Sequence, residues 1–340
     1  MDNSLHRLLA TLRSGEYATP ERGAFTALPA AEGSGHLLAI DTEGAPSLLL
    51  RAKHGNHSAL QPLRLQGLAI QHGIRCQVTI GGGEARDETF TTLSCTSENP
   101  LEQEYFLHAA DLILRIVGGE PGADQLASAA SHLASLFQRL SRPPRQSVTG
   151  IMGELMLIAR AASPELAVQS WRCDTTDRYD FVCGSLRLEV KATERRERAH
   201  HLSYEQCHPP EGTTGLLASL IIEPAGGGTS LGELIEAIAT RLAGSLPAIL
   251  RLNEVVADTL GQALPAAVGE RFDRQLAETS LSFFDLRTIP AIRHELPPAV
   301  TDVRFVSHLD RAPTRGVGAA ISLRSSACLA ETVKRPEGAA

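Results

Sequence analysis

The chain contains very little lysine and few aromatic residues. Only three of its 32 basic residues are lysines (Lys53, Lys191 and Lys334), and aromatic residues make up 4% of the 340 residues. The net charge of −7 argues against a protein that coats nucleic acid indiscriminately, because such a protein needs an excess of basic residues. This charge balance does not exclude a local basic groove.

Long apolar runs and closely paired cysteines are also missing. No run of about 18 apolar residues occurs, and the N-terminal residues lack the apolar segment that a secretory signal needs. The six cysteines include no Cys-x-x-Cys pair, which predicts free thiols in a reducing compartment rather than a disulfide framework or a standard zinc site. We therefore expect a cytoplasmic protein with no membrane association.

The most informative stretch of the chain runs from Asp180 to Lys191. Gly184-Ser185 suits a two-residue type II′ turn, and that turn sets the register of a β-hairpin. Asp180 then lies directly across from Glu189, with Lys191 two residues further along the same face. The hairpin is predicted to carry this chemistry on one face and apolar side chains on the other, namely Tyr179, Phe181, Leu186, Leu188 and Val190.

These three polar residues have the chemistry of a metal-dependent site. Two carboxylates at cross-strand distance repel each other unless a cation lies between them, and Mg²⁺ prefers such oxygen ligands. The lysine is informative because this chain uses arginine at almost every other basic position. A compact ammonium can contact a water molecule and a phosphate oxygen in a way that a planar guanidinium cannot. The alternative is coincidence, since a Glu-x-Lys triplet is expected about once by chance in a chain of ordinary composition.

Two further residues are functional candidates with structural alternatives. Glu154 lies in the middle of a helix predicted over residues 146–162 and is bordered by apolar side chains, whereas a capping or surface glutamate would be the structural alternative. Gln206 follows Ser203 at the spacing of a capping box, so it either caps a helix or supports the lysine and the substrate backbone.

These motifs together resemble those of the PD-(D/E)XK nuclease superfamily. The resemblance covers residues 146–240 and departs at Tyr179, where the superfamily name has proline. Within the superfamily, the chain looks like one bacterial branch that is often associated with restriction and phage-defence gene clusters. The residues that carry the resemblance are Gly153-Glu154-Leu155, Trp171, Tyr179-Asp180-Phe181, Glu189-Val190-Lys191, Ser203-x-x-Gln206 and Ser230-Leu231-x-Glu233-Leu234-Ile235.

The resemblance implies a restriction-endonuclease-like α/β (α+β) core with a mixed central sheet flanked by helices. It implies a Mg²⁺-dependent DNA endonuclease, with Mn²⁺ able to substitute, in which Asp180, Glu189 and the Val190 carbonyl bind the metal. Lys191, Glu154 and Gln206 complete the expected catalytic set. The DNA-binding candidates are Arg187, Arg195, Arg196, Arg198, His201 and Ser203, although the run from Arg195 to Arg198 is equally typical of a solvated loop.

The expected partner is DNA in a restriction-modification or phage-defence system. A DNA methyltransferase, an ATPase or helicase-like subunit and a second copy of the chain are further candidate partners. Two alternatives stay open, a non-catalytic DNA-binding or assembly subunit that retains the nuclease fold, and an interaction protein in which the triplet is coincidental.

The pattern of apolar runs and breaks predicts five segments. Residues 1–98 form a mostly β domain for positioning or recognition, and residues 99–145 form a helical connector that ends in Arg142-Pro143-Pro144-Arg145. The nuclease core occupies residues 146–260. A C-terminal α/β extension over 261–310 precedes a loosely ordered tail over 311–340.

Overall fold

The computed structural model describes residues 4–53, 61–172 and 178–314. The chain divides into two compact units, of which the first contains residues 1–143 and 261–266 and the second contains residues 144–260 and 267–340. The five predicted segments stay predictions, and most of the predicted tail lies outside the described residues. None of the helices in the described ranges is long and apolar enough to cross a membrane.

A helix and a six-stranded sheet form most of the first unit. The strand order is β1-β2-β3-β6-β5-β4, and β1 also pairs in parallel with the second half of β5, which closes part of the sheet into a ring. Ala27, Leu49, Val78 and Phe90 are among the buried residues inside it. The elements are α1 (Ser4–Arg13), β1 (Ala24–Pro29), β2 (Leu37–Ile40), β3 (Pro46–Leu50), β4 (Leu63–Leu65), β5 (Leu68–Ile80) and β6 (Ala85–Cys95).

Apolar runs in the sequence predict five strands here, over residues 36–40, 47–50, 67–70, 74–80 and 89–93, and this pattern divides one strand in two. The apolar runs over 67–70 and 74–80 belong to the single strand β5, whose pairing with β6 shifts between Gln71 and Ile74. A bulge of this kind inserts residues without ending the strand, so the polar break in the sequence was mistaken for a turn. The sequence analysis also missed β1 and β4.

Within the predicted helical connector, the apolar periodicity predicts two amphipathic helices, over 101–117 and 123–140. Both are confirmed as α2 (Pro100–Val117) and α3 (Ala123–Leu140) of the first unit. Asn99 caps α2 by accepting a hydrogen bond from the Leu101 amide, and Pro100 occupies the first turn, where its missing N–H costs nothing. The helices bury Tyr105 and Phe106 against Phe137.

The second unit is built on a four-stranded mixed sheet in the order β13-β10-β8-β7. Strand β10 pairs in parallel with β8 and antiparallel with β13, and β7 and β8 form an antiparallel hairpin. The continuous apolar run over residues 215–222 predicts a buried central strand. This run forms β10, which lies in an interior position of the sheet. The strands are β7 (Phe181–Cys183), β8 (Leu186–Thr193), β9 (Ala199–Ser203), β10 (Thr214–Ile221), β11 (Pro224–Ser230), β12 (Arg271–Phe272), β13 (Ser282–Asp285) and β14 (Arg304–His308).

Helices pack against this sheet and make the second unit a mixed α/β structure. Ser230 precedes an apolar helical pattern and is predicted to cap it, and it is the N-cap of α6, where it also forms a reciprocal capping box with Glu233. The long predicted helix over 146–162 is α4, which ends at Arg160 and is followed by a separate short helix. The helices of this unit are α4 (Val148–Arg160), α5 (Pro164–Ser170), α6 (Leu231–Arg241), α7 (Leu246–Leu260) and α9 (Arg274–Ser280). The short helix α8 (Leu264–Ala267) lies almost entirely in the segment 261–266 that belongs to the first unit.

Gly153 allows α4 to lie very close to strand β8. A Cβ atom at this position would stand 3.0 Å from the Ala192 Cβ and 3.4 Å from side-chain atoms of Val190 and Leu220, so a larger residue would push the helix away. This close approach carries the next residue, Glu154, into the interior, where it is completely buried.

Two further predictions are wrong, one for the segment around His200 and one for the cysteines. The segment around His200 is strand β9, which pairs with β14, and Ser203 is followed by a turn rather than by a helix. The second correction concerns the cysteines. Cys76, Cys95 and Cys207 are free and buried, but Cys183 is disulfide-bonded, so the prediction of free thiols is wrong at that position.

We expect His200 to make the stability of the protein depend on pH. Burial, and then the charges of Lys191 and Arg198, lower the pKa of His200 to about 4, while its Nε2 lies 2.7 Å from the Ser219 hydroxyl. An unfolded histidine has a pKa of about 6.5, so the unfolded chain takes up a proton first as the pH falls. Above about pH 6.5, His200 is neutral in both states and does not change the free energy of unfolding. As the pH falls from there toward about 4, the free energy of unfolding decreases, and the loss is about 2 kcal/mol at about pH 5.

Thermal melting at about pH 7.5 and about pH 5 measures this effect. His200→Gln should lose less stability on acidification than the wild type, because glutamine does not titrate. His201→Gln changes the adjacent exposed histidine and should retain the wild-type difference. An unchanged difference in His200→Gln contradicts the assignment.

Candidate active site

The β7–β8 hairpin has the register that the sequence predicted. Phe181 pairs with Leu188, Val182 with Arg187, and Cys183 with Leu186. Gly184 has a φ of 54° and Ser185 has no positive φ, as a type II′ turn requires. The predicted apolar face is buried at Tyr179, Phe181, Leu186, Leu188 and Val190.

Asp180 and Glu189 line one cavity of about 260 Å³, together with Arg172 and Gln206. Asp180 precedes β7, and its Oδ2 accepts a hydrogen bond of 2.8 Å from the Val190 amide across the hairpin. Burial, and then the charges of Glu154 and Glu189, raise the pKa of Asp180 well above its ordinary value, against the opposing effect of Arg172. The cavity therefore holds carboxylates that the chain itself only partly neutralises.

Glu189 has one satisfied and one unsatisfied carboxylate oxygen. Its Oε1 lies 2.7 Å from the Lys191 ammonium nitrogen. Its Oε2 is buried and has no hydrogen-bond partner within the described part of the chain. Burial raises the pKa of Glu189, against the opposing effect of Lys191. A buried acceptor without a donor is costly, and a cation in the cavity would remove that cost, so the site fits an oxygen-preferring metal ion.

The metal ligands offered here are few. Across residues 4–53, 61–172 and 178–314, no group of three or more His, Cys, Asp and Glu side chains is arranged to hold a metal. The donor set at the hairpin is therefore two carboxylates, supplemented by the predicted Val190 carbonyl. Magnesium commonly binds through one or two carboxylates and keeps several water molecules, so a small donor set suits it.

Lys191 is a charged donor at this site. Burial alone would lower the pKa of Lys191, but the Glu189 charge and hydrogen bond, followed by the charges of Asp180 and Glu154, raise it on balance. The ammonium therefore keeps its proton at neutral pH. As an ammonium it can donate hydrogen bonds and stabilise negative charge.

Glu154 is held by four hydrogen bonds and does not face solvent. Its Oε1 accepts from Gln146 Nε2 at 2.9 Å and from Arg172 Nη2 at 2.6 Å. Its Oε2 accepts from Trp171 Nε1 at 2.5 Å and from Arg172 Nε at 2.8 Å. The surface alternative for Glu154 is thus excluded. With both oxygens satisfied, the residue is placed to orient Arg172 rather than to bind a metal directly.

Arg172 joins Glu154 to the hairpin. Its Nη2 also lies 3.4 Å from Asp180 Oδ1, and its backbone amide donates to the Asp180 carbonyl at 2.9 Å. The backbone of Arg172 has a φ of 47°, which costs a non-glycine residue on the order of 1 kcal/mol. Arg251 supports this conformation by donating to the Trp171 carbonyl at 2.5 Å and to the Arg172 carbonyl at 3.1 Å.

Gln206 makes the hydrogen bonds of a capping box with Ser203, which is the structural alternative to its predicted catalytic role. Its Oε1 accepts from the Ser203 amide at 3.0 Å, and the Ser203 hydroxyl accepts from the Gln206 amide at 3.2 Å. Its Nε2 donates to the Arg178 carbonyl at 3.2 Å. The side chain nevertheless lines the cavity of Asp180 and Glu189, so its predicted catalytic role stays a prediction.

The predicted DNA-binding arginines differ in the hydrogen bonds and ion pairs that they form within the protein. Arg187 donates to the carbonyls of Gly184 and Leu186 at the hairpin turn. Arg196 pairs with Glu223 at 3.0 Å, and Arg198 donates to the carbonyl and hydroxyl of Ser219 at 2.8 and 2.7 Å. Arg195 and His201 are exposed. The DNA-binding role of all these residues stays a prediction.

Sequence reasoning missed the network around Arg172. Gln146 and Arg172 were not selected, because neither belongs to the hairpin or to its spacing pattern. One signal was present, since Arg172 follows Trp171, the only tryptophan of the chain. A buried indole N–H needs an acceptor, and here that acceptor is Glu154.

The mixed α/β architecture with its mixed sheet is consistent with a PD-(D/E)XK-like fold. Comparison with protein-family models matched residues 18–310 to the family DUF4420, described as "Putative PD-(D/E)XK family member", and the chain belongs to this family. Members of the PD-(D/E)XK superfamily are generally nucleases and typically use divalent metals. Searches of curated proteins and of solved structures gave no match.

We expect Glu154 and Arg172 to be energetically coupled. Arg172→Met leaves the buried Glu154 carboxylate without its cation and should cost about 3 kcal/mol or more. Glu154→Gln removes the charge that needs compensation, so the double variant should be more stable than the sum of the single effects predicts. Denaturant unfolding of the four proteins measures the coupling.

Arg187→Met is the matched control for this cycle. It removes an arginine that binds only backbone carbonyls at the exposed turn, and it should change stability by about 0.5 kcal/mol or less. Additive effects of the Glu154 and Arg172 substitutions contradict the role assigned to this ion pair.

Proposed function

We propose that the protein is a Mg²⁺-dependent DNA endonuclease that hydrolyses phosphodiester bonds. The observation that carries this proposal is the buried Glu189 Oε2, which has no hydrogen-bond partner among the described residues and lines a cavity together with Asp180. Membership of a PD-(D/E)XK family supports the same reaction class. Mn²⁺ is expected to substitute for Mg²⁺.

The charges around the cavity support a divalent cation. Burial and the charge of Glu154 raise the pKa values of Asp180 and Glu189, and Arg172 and Lys191 only partly oppose these shifts. A divalent cation would stabilise the charged form of both carboxylates. Asp180, Glu189 and the Val190 carbonyl would hold the metal, which would supply an activated water molecule and stabilise charge on the phosphate oxygens.

The side chains around these ligands have distinct roles. Lys191 donates to Glu189 and, as an ammonium, can also orient a water molecule or stabilise the charge that develops on phosphate. Arg172 fixes the position of Asp180 through its contact with Oδ1, and Glu154 fixes Arg172. Gln206 supports the site from the turn that follows β9.

The biological setting of the proposal rests on the sequence resemblance. The related branch is often associated with restriction and phage-defence gene clusters, so we propose that the substrate is foreign DNA. A methyltransferase, an ATPase or helicase-like subunit and a second copy of the chain are the proposed partners. Cytoplasmic localisation belongs to the same proposal.

A second candidate function is a non-catalytic DNA-binding or assembly subunit that retains the fold. The favouring observation is that the chain satisfies much of its own acidic pair, because Lys191 binds Glu189 and both Arg172 and the Val190 amide bind Asp180. In such a protein these contacts would replace the metal.

Metal binding and DNA cleavage separate the two candidates. Titration calorimetry with Mg²⁺ or Mn²⁺ should detect binding to the wild type that is lost in Asp180→Asn and in Glu189→Gln. Supercoiled plasmid should be cleaved by the wild type with either metal. DNA binding without cleavage in either metal favours the second candidate, and the absence of metal binding contradicts the first.

Lys191→Arg should be nearly as damaging as Lys191→Ala. A site that needs only positive charge would tolerate arginine, whereas a small donor beside a reacting water cannot be replaced by a bulkier planar group. Loss of one such contact typically reduces the rate on the order of 10²-fold or more.

The measurement is single-turnover cleavage at matched DNA occupancy, with thermal melting as the control for folding. Activity of Lys191→Arg close to that of the wild type would mean that the lysine is incidental to the reaction.

A further inference from the structure

A second cavity adjoins the carboxylate cavity. It has a volume of about 520 Å³ and shares Arg178 and Gln206 with the cavity that contains Asp180 and Glu189. Lys191 lines the second cavity and contacts Glu189, which lines the first. The volume lies within the range of about 300–1,000 Å³ that is typical of small-ligand sites, which is enough for a nucleotide unit.

One side of this cavity is formed by the ribbon of β9 and β14. Arg304 pairs with Ser203, and Val306 pairs with His201. Side chains alternate across a strand, and the intervening residues His200, Leu202 and Ser307 are buried beneath the ribbon. The ribbon therefore presents His201, Ser203 and Arg304 to the cavity.

The charges around the cavity favour an anion. Three cationic side chains line it, from Arg178, Lys191 and Arg304, against two carboxylates, from Glu205 and Asp302. The side chain of Arg178 makes no ion pair with the described residues, so its guanidinium is available to a ligand. Arginine presents several N–H donors in a plane and suits phosphate oxygens.

The carboxylate closest to Arg304 is weakly bound to it. Asp302 Oδ1 lies 3.1 Å from Arg304 Nε, and the two side chains are 73% and 71% exposed. Ion pairs this exposed contribute little, because water screens the attraction and the two flexible side chains must be ordered. A phosphate could therefore displace Asp302 from Arg304 at small cost.

We propose that this cavity binds a backbone phosphate of a nucleic-acid strand, next to the phosphate that is positioned at Asp180 and Glu189. Arg178 and Arg304 contact the bound phosphate, and Arg178, which lines both cavities, marks the path of the strand between them. The proposal rests on the proposed function and deepens it. It assigns substrate contacts to two arginines that the motif does not include.

Equilibrium binding tests this proposal without cleavage. The probe is a fluorescently labelled 20-nucleotide DNA, measured by anisotropy in EDTA at several salt concentrations and in two unrelated sequences. Arg178→Gln and Arg304→Gln should each weaken binding about ten-fold near 0.1 M salt in both sequences. Each should also reduce the slope of log K against log salt by about one, as expected for one lost phosphate contact.

Asp302→Asn provides a variant that should strengthen binding. It removes the carboxylate that competes for Arg304, and asparagine tolerates the φ of 55° that Asp302 adopts. A gain in affinity cannot arise from misfolding, so this variant separates a phosphate contact from a structural role. Arg75→Gln is the matched control, since Arg75 forms an exposed pair of the same 3.1 Å length with Asp87 in the first unit.

The outcomes distinguish this proposal from the proposed function. Unchanged affinity and salt slope in Arg178→Gln and Arg304→Gln overturn the phosphate site, even if the wild type cleaves DNA. Equal losses in Arg75→Gln also overturn it, because they show a general effect of charge. Wild type that neither binds nor cleaves the probe overturns both proposals. Competition by inorganic phosphate at the same concentration as strand phosphate would assign the cavity to free phosphate instead.

Discussion

The ion pair between Arg172 and Glu154 is the interaction on which the candidate site depends. Arg172 contacts both Glu154 and Asp180, which come from a helix and from the start of a hairpin. Without this cation, the buried Glu154 and the adjacent Asp180 would both lose the positive charge that contacts them. Desolvation makes uncompensated buried charge costly, so the guanidinium determines whether these elements can pack together at all.

The packing of α4 on β8 depends on a different constraint, which is steric. Gly153 brings the helix backbone close to Ala192, and Glu154 enters the interior as a consequence. Gly153 lies against strand β8, and the adjacent Glu154 contacts Trp171 and Arg172. The same pair belongs to the segment that carries the family resemblance, which gives that part of the motif a physical explanation.

The local features of the site could be predicted from the sequence, and the long-range ones could not. The register of the hairpin follows from Gly184-Ser185 and from alternation, both of which are short-range properties. The partner of Glu154 is eighteen residues away in Arg172, whose left-handed backbone has no signal in the residue type. Strand β9 was missed for a related reason, because its partner β14 lies about a hundred residues later in the chain.

The closure of the first sheet limits how that unit can contact other proteins. Strand β1 pairs with β2 on one side and with β5 on the other, so neither of its edges is open to another chain. In the described part of this sheet, β4 is the terminal strand, and it contributes only three residues. A peptide that binds by adding a strand needs a longer free edge than this. Backbone pairing with another chain would have to use the stretches that have a neighbour on one side only, which in the described sheet are residues 71–76 of β5 and residues 85–90 of β6.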